Sequence, residues 1–184
     1  NLNQVFSRDV GVVITDKLIR TSMIADRAPE WDGLAPLFAN LDTNNILIPP
    51  EEVRIEGGDV MPMDEEIWIG IGDAEDFGVY KTARTNEEAV VWLKEIFPNH
   101  TVRSFPLSKS DTDPRVNALH LDCCLSPLGL GHAIFHPEGL KNEYDREWIR
   151  SYYSGKIIEV DADSMYNMHC NLFSISPATV ISGE

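Results

Sequence analysis

Six short apolar runs alternate along this chain with polar or helix-patterned stretches, and that alternation limits the architecture more than any other feature. VGVVITDKLI (10–19), EIWIGIG (66–72), TVRSFPL (101–107), HAIFHP (132–137), KIIEVD (156–161) and NLFSIS (171–176) are β-branched, short and bounded by Gly, Pro or Asp. Each reads as a strand. Between the second and third lies TNEEAVVWLKEIF. It predicts a helix with Thr85 as N-cap and Glu88 completing a capping box. Ala89, Leu93, Ile96 and Phe97 then share one face, and Pro98 closes the element. A second helix is expected over YDREWIRSYY (144–153), stopped by Gly155. Strand and helix in alternation mean an α/β fold.

The 184 residues are about one domain long. Hydrophobic content of 43% and charged content of 24% suit an ordinary soluble domain. No run approaches the ~18 apolar residues of a membrane span, and no basic region precedes an apolar leader segment. Thirty acidic side chains against 15 basic ones give a formal net charge of −15. With Lys and Arg scattered, such a surface repels nucleic acid. The acidity serves solubility, or it concentrates a cationic substrate. Three cysteines, two of them adjacent, make a poor disulfide framework and point to a reducing, cytoplasmic setting. The first residues already run into a strand and ATVISGE follows another, so the expectation is a single domain over 1–184 truncated at both ends. Strand edges left unpaired by truncation would favour a homo-oligomer.

NALHLDCC (117–124) gathers the residue types that chemistry recruits most often. Read as a strand, it puts Cys123 and Cys124 on opposite faces, so they do not share one metal. His132 and His136 on a strand stand about 13 Å apart, too far for direct co-ligation. Small buried hydrophobes is the better reading for all three cysteines. His120 and Asp122 fall on one strand face, as a satisfied buried pair or as a general acid/base beside a cation-binding carboxylate. RIEGGDVMP (54–62) places Glu56 and Asp59 around two glycines, where another group approaches the backbone closely. Asp9, just before an apolar run, is by itself an ordinary strand-entry aspartate.

Together NQVFSRD, EGGDVMPM, RTN at a helix start, LHLD and MHCNLFSIS resemble the guanidino-group-modifying superfamily. That superfamily (the penteins) includes amidinotransferases, arginine deiminases and dimethylarginine hydrolases. The motifs stand in the family's order and span nearly the whole chain. The resemblance implies an α/β-propeller of ββαβ pseudo-repeats, incomplete here, acting on an arginine-like small molecule with no cofactor and no metal. It further implies that Asp9 and Asp122 hold the guanidinium, that His120 is the general acid/base, and that Glu56 orients it. Asp59 matches a position at the substrate's amino-acid end, and Phe6 and Asn3 match positions near the guanidinium. Arg84 matches a counter-ion for a substrate carboxylate, after a connection, DAEDFGVYKT, that is longer than usual. Carboxylates suit this work because a guanidinium is planar, always cationic and presents its donors in a fork.

In the family a cysteine in a GG-x-HC context attacks the guanidinium carbon to form a thiouronium adduct. No such motif occurs in these 184 residues, so the polypeptide as it stands is expected to be inactive. HLD rather than HLK argues against the dimethylarginine hydrolase branch. EGGDVMP leans towards deiminases, but the short span from Asp9 to Glu56 and the RTN helix start do not demand that branch. An amidinotransferase-type enzyme is the leading expectation, with a deiminase-like or ureido hydrolase beside it. A non-catalytic propeller-like binding protein and a metal-dependent hydrolase using His120, His132 and His136 are the rivals from other classes.

Overall fold

The computed structural model describes residues 6–182. Asn3 lies outside them. The chain is mixed α/β. The first strands are β1 (Gly11–Ile14) and β2 (Lys17–Arg20), followed by helix α1 (Glu30–Phe38) and β3 (Ile46–Leu47). Then come β4 (Val60–Met63), β5 (Glu66–Ile71), α2 (Ala74–Val79), α3 (Glu87–Ile96) and β6 (Thr101–Pro106). The third group is α4 (Leu121–Cys124), β7 (Leu125–Pro127), β8 (Ala133–Phe135), α5 (Glu143–Tyr152) and β9 (Ile157–Glu159). Helix α6 (Ala162–Tyr166) precedes a last hairpin, β10 (Phe173–Ser176) and β11 (Thr179–Ile181).

The sheets are β1-β2-β3, β4-β5-β6, β7-β8-β9 and the hairpin β10-β11. Each three-stranded sheet is a ββαβ unit. An antiparallel hairpin comes first, as in Gly11↔Arg20, Val60↔Ile69 and Leu125↔Phe135. A helical connection then delivers the third strand, which pairs parallel in β2–β3 and β8–β9. The expected single strand over 10–19 is therefore two. Thr15 and Asp16 form a two-residue turn with Thr15 at φ 55°, and Asp64 at φ 41° does the same between β4 and β5. Positive φ at a two-residue loop matches the twist of the strands it joins.

The chain groups into two compact units. One comprises residues up to Ile69 with Arg84–Ser104, and the other Gly70–Ala83 with the chain from Phe105. Ile14, Ile19, Ile55, Ile67, Trp68 and Leu93 are fully buried in the first; Phe105, Leu107, Leu125, Phe135 and Ile149 are so in the second.

Helix α3 starts one residue later than its sequence predicts. Asn86, not Thr85, is the N-cap and accepts from the Ala89 N–H at 3.3 Å. Its side chain also accepts from the Arg54 N–H at 2.9 Å and donates to the Glu52 carbonyl at 2.8 Å. One asparagine thus caps the helix and ties it to the segment entering Glu56. Ala89, Leu93 and Phe97 are buried as expected, whereas Ile96 is exposed and Val90 and Trp92 complete the apolar face.

Candidate active site

Every ββαβ unit, and the last hairpin, is entered through the same backbone turn. The Asp9 N–H bonds the Phe6 carbonyl at 3.1 Å, Asp59 bonds Glu56 at 3.1 Å, Cys123 bonds His120 at 3.1 Å and Asn171 bonds Met168 at 3.0 Å. A strand begins one or two residues later in each case. Glu56 and His120 are extended and open their turns from the same position, at φ −113° and −131°. Phe6, Asp9, Glu56, Asp59, His120 and Asp122 therefore sit in a recurring loop at the mouth of a hairpin.

In the first of the two compact units these turns supply a buried charge cluster. Asp9 and Glu56 are 6% and 0% exposed. Arg27 donates from Nη1 to Asp9 Oδ2 at 2.7 Å and makes a two-point contact with Glu30, Nε to Oε1 at 3.1 Å and Nη2 to Oε2 at 3.0 Å. The same Nη1 lies 3.7 Å from Glu56 Oε2. Glu56 also accepts from Arg84 Nη1 at 3.2 Å and from the Ile24 N–H at 3.3 Å. Burial works against the charge on Arg27, yet its hydrogen bonds to Glu30 and Asp9 outweigh that and hold its proton above the ordinary arginine range. Charges this deep persist only when paired and hydrogen-bonded. Asp59, 1% exposed, accepts from the Thr85 hydroxyl at 2.6 Å, and that hydroxyl in turn accepts from the Glu56 N–H at 3.1 Å. This is why Thr85 does not cap α3. Its side chain braces the Glu56 turn instead. Phe6 opens its own turn at 44% exposure.

Arg27 and Glu30 belong to none of the sequence motifs. The available signal is their i, i+3 spacing at a helix start, in DRAPEWD. The structure also engages Arg84 with Glu56, beyond the carboxylate-binding role the resemblance implies for it.

In the second compact unit the strand reading of NALHLDCC is overturned. Residues Leu121–Cys124 form a single helical turn with His120 as its extended N-cap. His120 and Asp122, each 3% exposed, still come together, and Cys123 joins them. One ligand atom from each of these three lies within 4.8 Å of the other two, and the Cys123 thiol is 3.7 Å from Asp122 Oδ1. The two adjacent cysteines do part, through helical rather than strand geometry. Cys124 is fully buried, its thiol 3.4 Å from the Leu121 carbonyl, against Gly139, where a Cβ would overlap its own. Lys109, buried, donates to the Ala118 and Leu119 carbonyls at 2.8 and 2.9 Å and so fixes the backbone just before His120. No local pattern in the sequence marks that lysine.

Burial pushes the Cys170 thiol up to about 12, only partly offset by a hydrogen bond from the His136 backbone. His136 is buried with Nδ1 3.0 Å from the Val160 carbonyl, a packing role. Among the described residues of this unit, His120, Asp122 and Cys123 are the grouping with metal-ligand proximity.

No family model matches the chain. It is 27% identical over 180 residues to the uncharacterized protein YkgA of Bacillus subtilis (strain 168), covering 97% of this chain and 55% of that one. The chain thus spans about half the length of this curated relative. Among solved structures, it matches the N-terminal domain of ArgZ, an arginine dihydrolase from the ornithine-ammonia cycle in Cyanobacteria, bound to substrate. The identity is 23% and the TM-score 0.69, over 94% of this chain and 58% of that one. It also matches AgrE in ternary complex with ornithine and NAD+, at 22% identity and TM-score 0.71 over 93% and 23% of the chains. DDAH from Pseudomonas aeruginosa, complexed with citrulline, matches at 19% identity and TM-score 0.69 over 96% and 60%. The chain has the fold of these proteins, which bears out the motif resemblance at the level of fold.

Proposed function

We propose that this chain acts on the guanidino group of arginine or a close analogue, in an amidinotransferase-type reaction through a cysteine thiouronium intermediate. One observation carries the reading. A buried Asp9 already grips a planar guanidinium, that of Arg27, within a fold shared with arginine- and citrulline-bound enzymes. The same chemistry serves a substrate guanidinium, for which Asp9 and Asp122 are the proposed carboxylates. Asp59, Phe6, Asn3 and Arg84 are the proposed surrounding contacts. The ββαβ units are read as blades of an α/β-propeller in one cytoplasmic catalytic domain.

In this mechanism a thiolate forms an S–C bond to the guanidinium carbon. The C–N bond to the departing amine breaks, and His120, oriented by Glu56, gives that amine its proton. The now neutral His120 takes a proton from an incoming water or acceptor amine. Attack by that group breaks the S–C bond and returns the thiolate. The thiol is proposed to come from polypeptide outside these residues. Cys124 and Cys170 are fully buried, and Cys123 lies with its thiol 3.7 Å from Asp122 Oδ1.

A hydrolase is the second reading, favoured by the matched ArgZ, named as an arginine dihydrolase, and by DDAH complexed with citrulline. One experiment tests both. The protein, expressed in its full reading frame, is incubated with L-arginine, quenched in acid and weighed. An adduct of the amidino group alone supports transfer, and one of arginine less ammonia supports hydrolysis. No adduct, with no ornithine, citrulline or urea released, overturns the substrate class.

A further inference from the structure

We propose that His120, Asp122 and Cys123 form a binding site for a zinc-class divalent cation. The site stands on geometry within the second unit. Its consequence, that the cation withdraws His120 and Asp122 from the reaction, rests on the proposed function.

Three donor types meet at one turn: an imidazole, a carboxylate and a thiol, each from a different residue, with ligand atoms mutually within 4.8 Å. Zn–S near 2.3 Å and Zn–O or Zn–N near 2.0–2.2 Å place neighbouring donors of a tetrahedral site roughly 3.3–3.7 Å apart. The Cys123 sulfur and Asp122 oxygen are already 3.7 Å apart. The remaining donor separations also lie within 4.8 Å. The backbone needs no change, because one helical turn with an extended N-cap brings residues 120, 122 and 123 to a common point.

The mixed donor set selects the ion. A thiolate disfavours the hard cations magnesium and calcium, while sulfur with imidazole suits zinc and its cobalt(II) surrogate. Cys123 is half-buried whereas its two partners are buried, so the cation has its approach from the thiol side. The thiol gives its proton to solvent as the metal–sulfur bond forms, so binding strengthens as pH rises. A fourth position is left for water or a ligand, as in zinc sites with three protein donors.

Cobalt(II) titration of the 184-residue chain reads the site without any turnover. One equivalent should produce the intense sulfur-to-cobalt charge-transfer band of a thiolate ligand, and zinc should bleach it. Cys123→Ser should abolish the band and weaken zinc binding by about a hundredfold or more, since even outer-shell losses cost about 10- to 100-fold. Cys124→Ala and Cys170→Ala should keep the band, and circular dichroism reports whether each variant is folded. Absence of the band in wild type, or its survival in folded Cys123→Ser, overturns the site. Zinc should also inhibit the full-length enzyme in a chelator-reversible way, with Cys123→Ser resistant. A band without guanidino turnover would count against the proposed function and leave the site standing. Turnover insensitive to zinc, with no band, would do the reverse.

Discussion

Arg27 and Glu30 face each other across one turn with two hydrogen bonds, at 3.1 and 3.0 Å, and both side chains are more than nine-tenths buried. The pair anchors a guanidinium whose remaining arm reaches Asp9. Replacing Arg27 by Met leaves Asp9 and Glu30 buried without that cation. The expected loss is about 3–5 kcal/mol, the usual cost of breaking a buried pair on one side. Arg27→Lys should recover only part of it, because an ammonium cannot reproduce the fork. Urea denaturation decides the matter, and a loss under about 1 kcal/mol would show the cluster to be hydrated rather than dry.

Thr85 offers a narrower test. Its hydroxyl links the Asp59 carboxylate to the Glu56 backbone. Thr85→Val keeps the shape and removes both bonds, at an expected cost of about 1–3 kcal/mol, whereas Thr85→Ser should cost well under that. Thermal melts of the two variants should separate clearly.

Gly57 has no room for a side chain. A Cβ there would run into the Arg8 carbonyl oxygen, at the place where the turn of Glu56 meets the turn of Asp9. Gly57→Ala should destabilise the fold by about 1–3 kcal/mol or more, the range for overpacking. Guanidino turnover in the full-length protein should fall further than stability alone explains, measured at a temperature where the variant remains folded.

The pH dependence of stability has an identifiable contributor in the second unit. Lys141 contacts Asp73 at 2.7 Å and Asp76 at 2.7–2.8 Å. The hydrogen bond from Lys141 holds the Asp73 carboxyl below its ordinary range despite burial. Burial opposes the charge on Lys141, but Asp73 and Asp76 raise its affinity for the proton above the ordinary lysine value. A depressed carboxyl stabilises above its unfolded value, near 3.9, and the contribution is lost as pH falls through the folded value. A raised lysine stabilises below about 10.4 and loses that contribution as pH rises through its folded value. The network is therefore complete from about pH 5 to pH 9. Asp73→Asn should flatten the acid limb of urea midpoint against pH and leave the neutral plateau lower.

For the reaction, His120→Ala should abolish turnover in the full-length protein while Cys123→Ser retains it. Steady-state assays with arginine decide this, and equal losses would overturn the assignment of roles.

Much of this arrangement is legible in the sequence because it is periodic or punctuated. EIWIGIG, KIIEVD and the α3 and α5 segments carry enough residues to show a period and end at Pro or Gly, or at an acid, and each lies where expected. The hairpin hidden in VGVVITDKLI escapes a sequence reading because Thr15 and Asp16 turn the chain without a glycine. LDCC escapes it because a single four-residue turn shows no helical period. Arg27 and Lys109 are hidden for a different reason. One pairs with acids 18 and 29 residues away through space and shows locally only its i, i+3 spacing to Glu30, and the other grips carbonyls and leaves no local pattern.

The turn that opens each hairpin is closed by backbone atoms alone, and this has an evolutionary consequence. Its first place holds Phe, Glu, His or Met, and its last holds Asp, Asp, Cys or Asn. A single codon change can therefore install an acid, a base, a thiol or an amide at the same address while the strands behind it keep their register. Such a scaffold lets new reagents be auditioned one socket at a time.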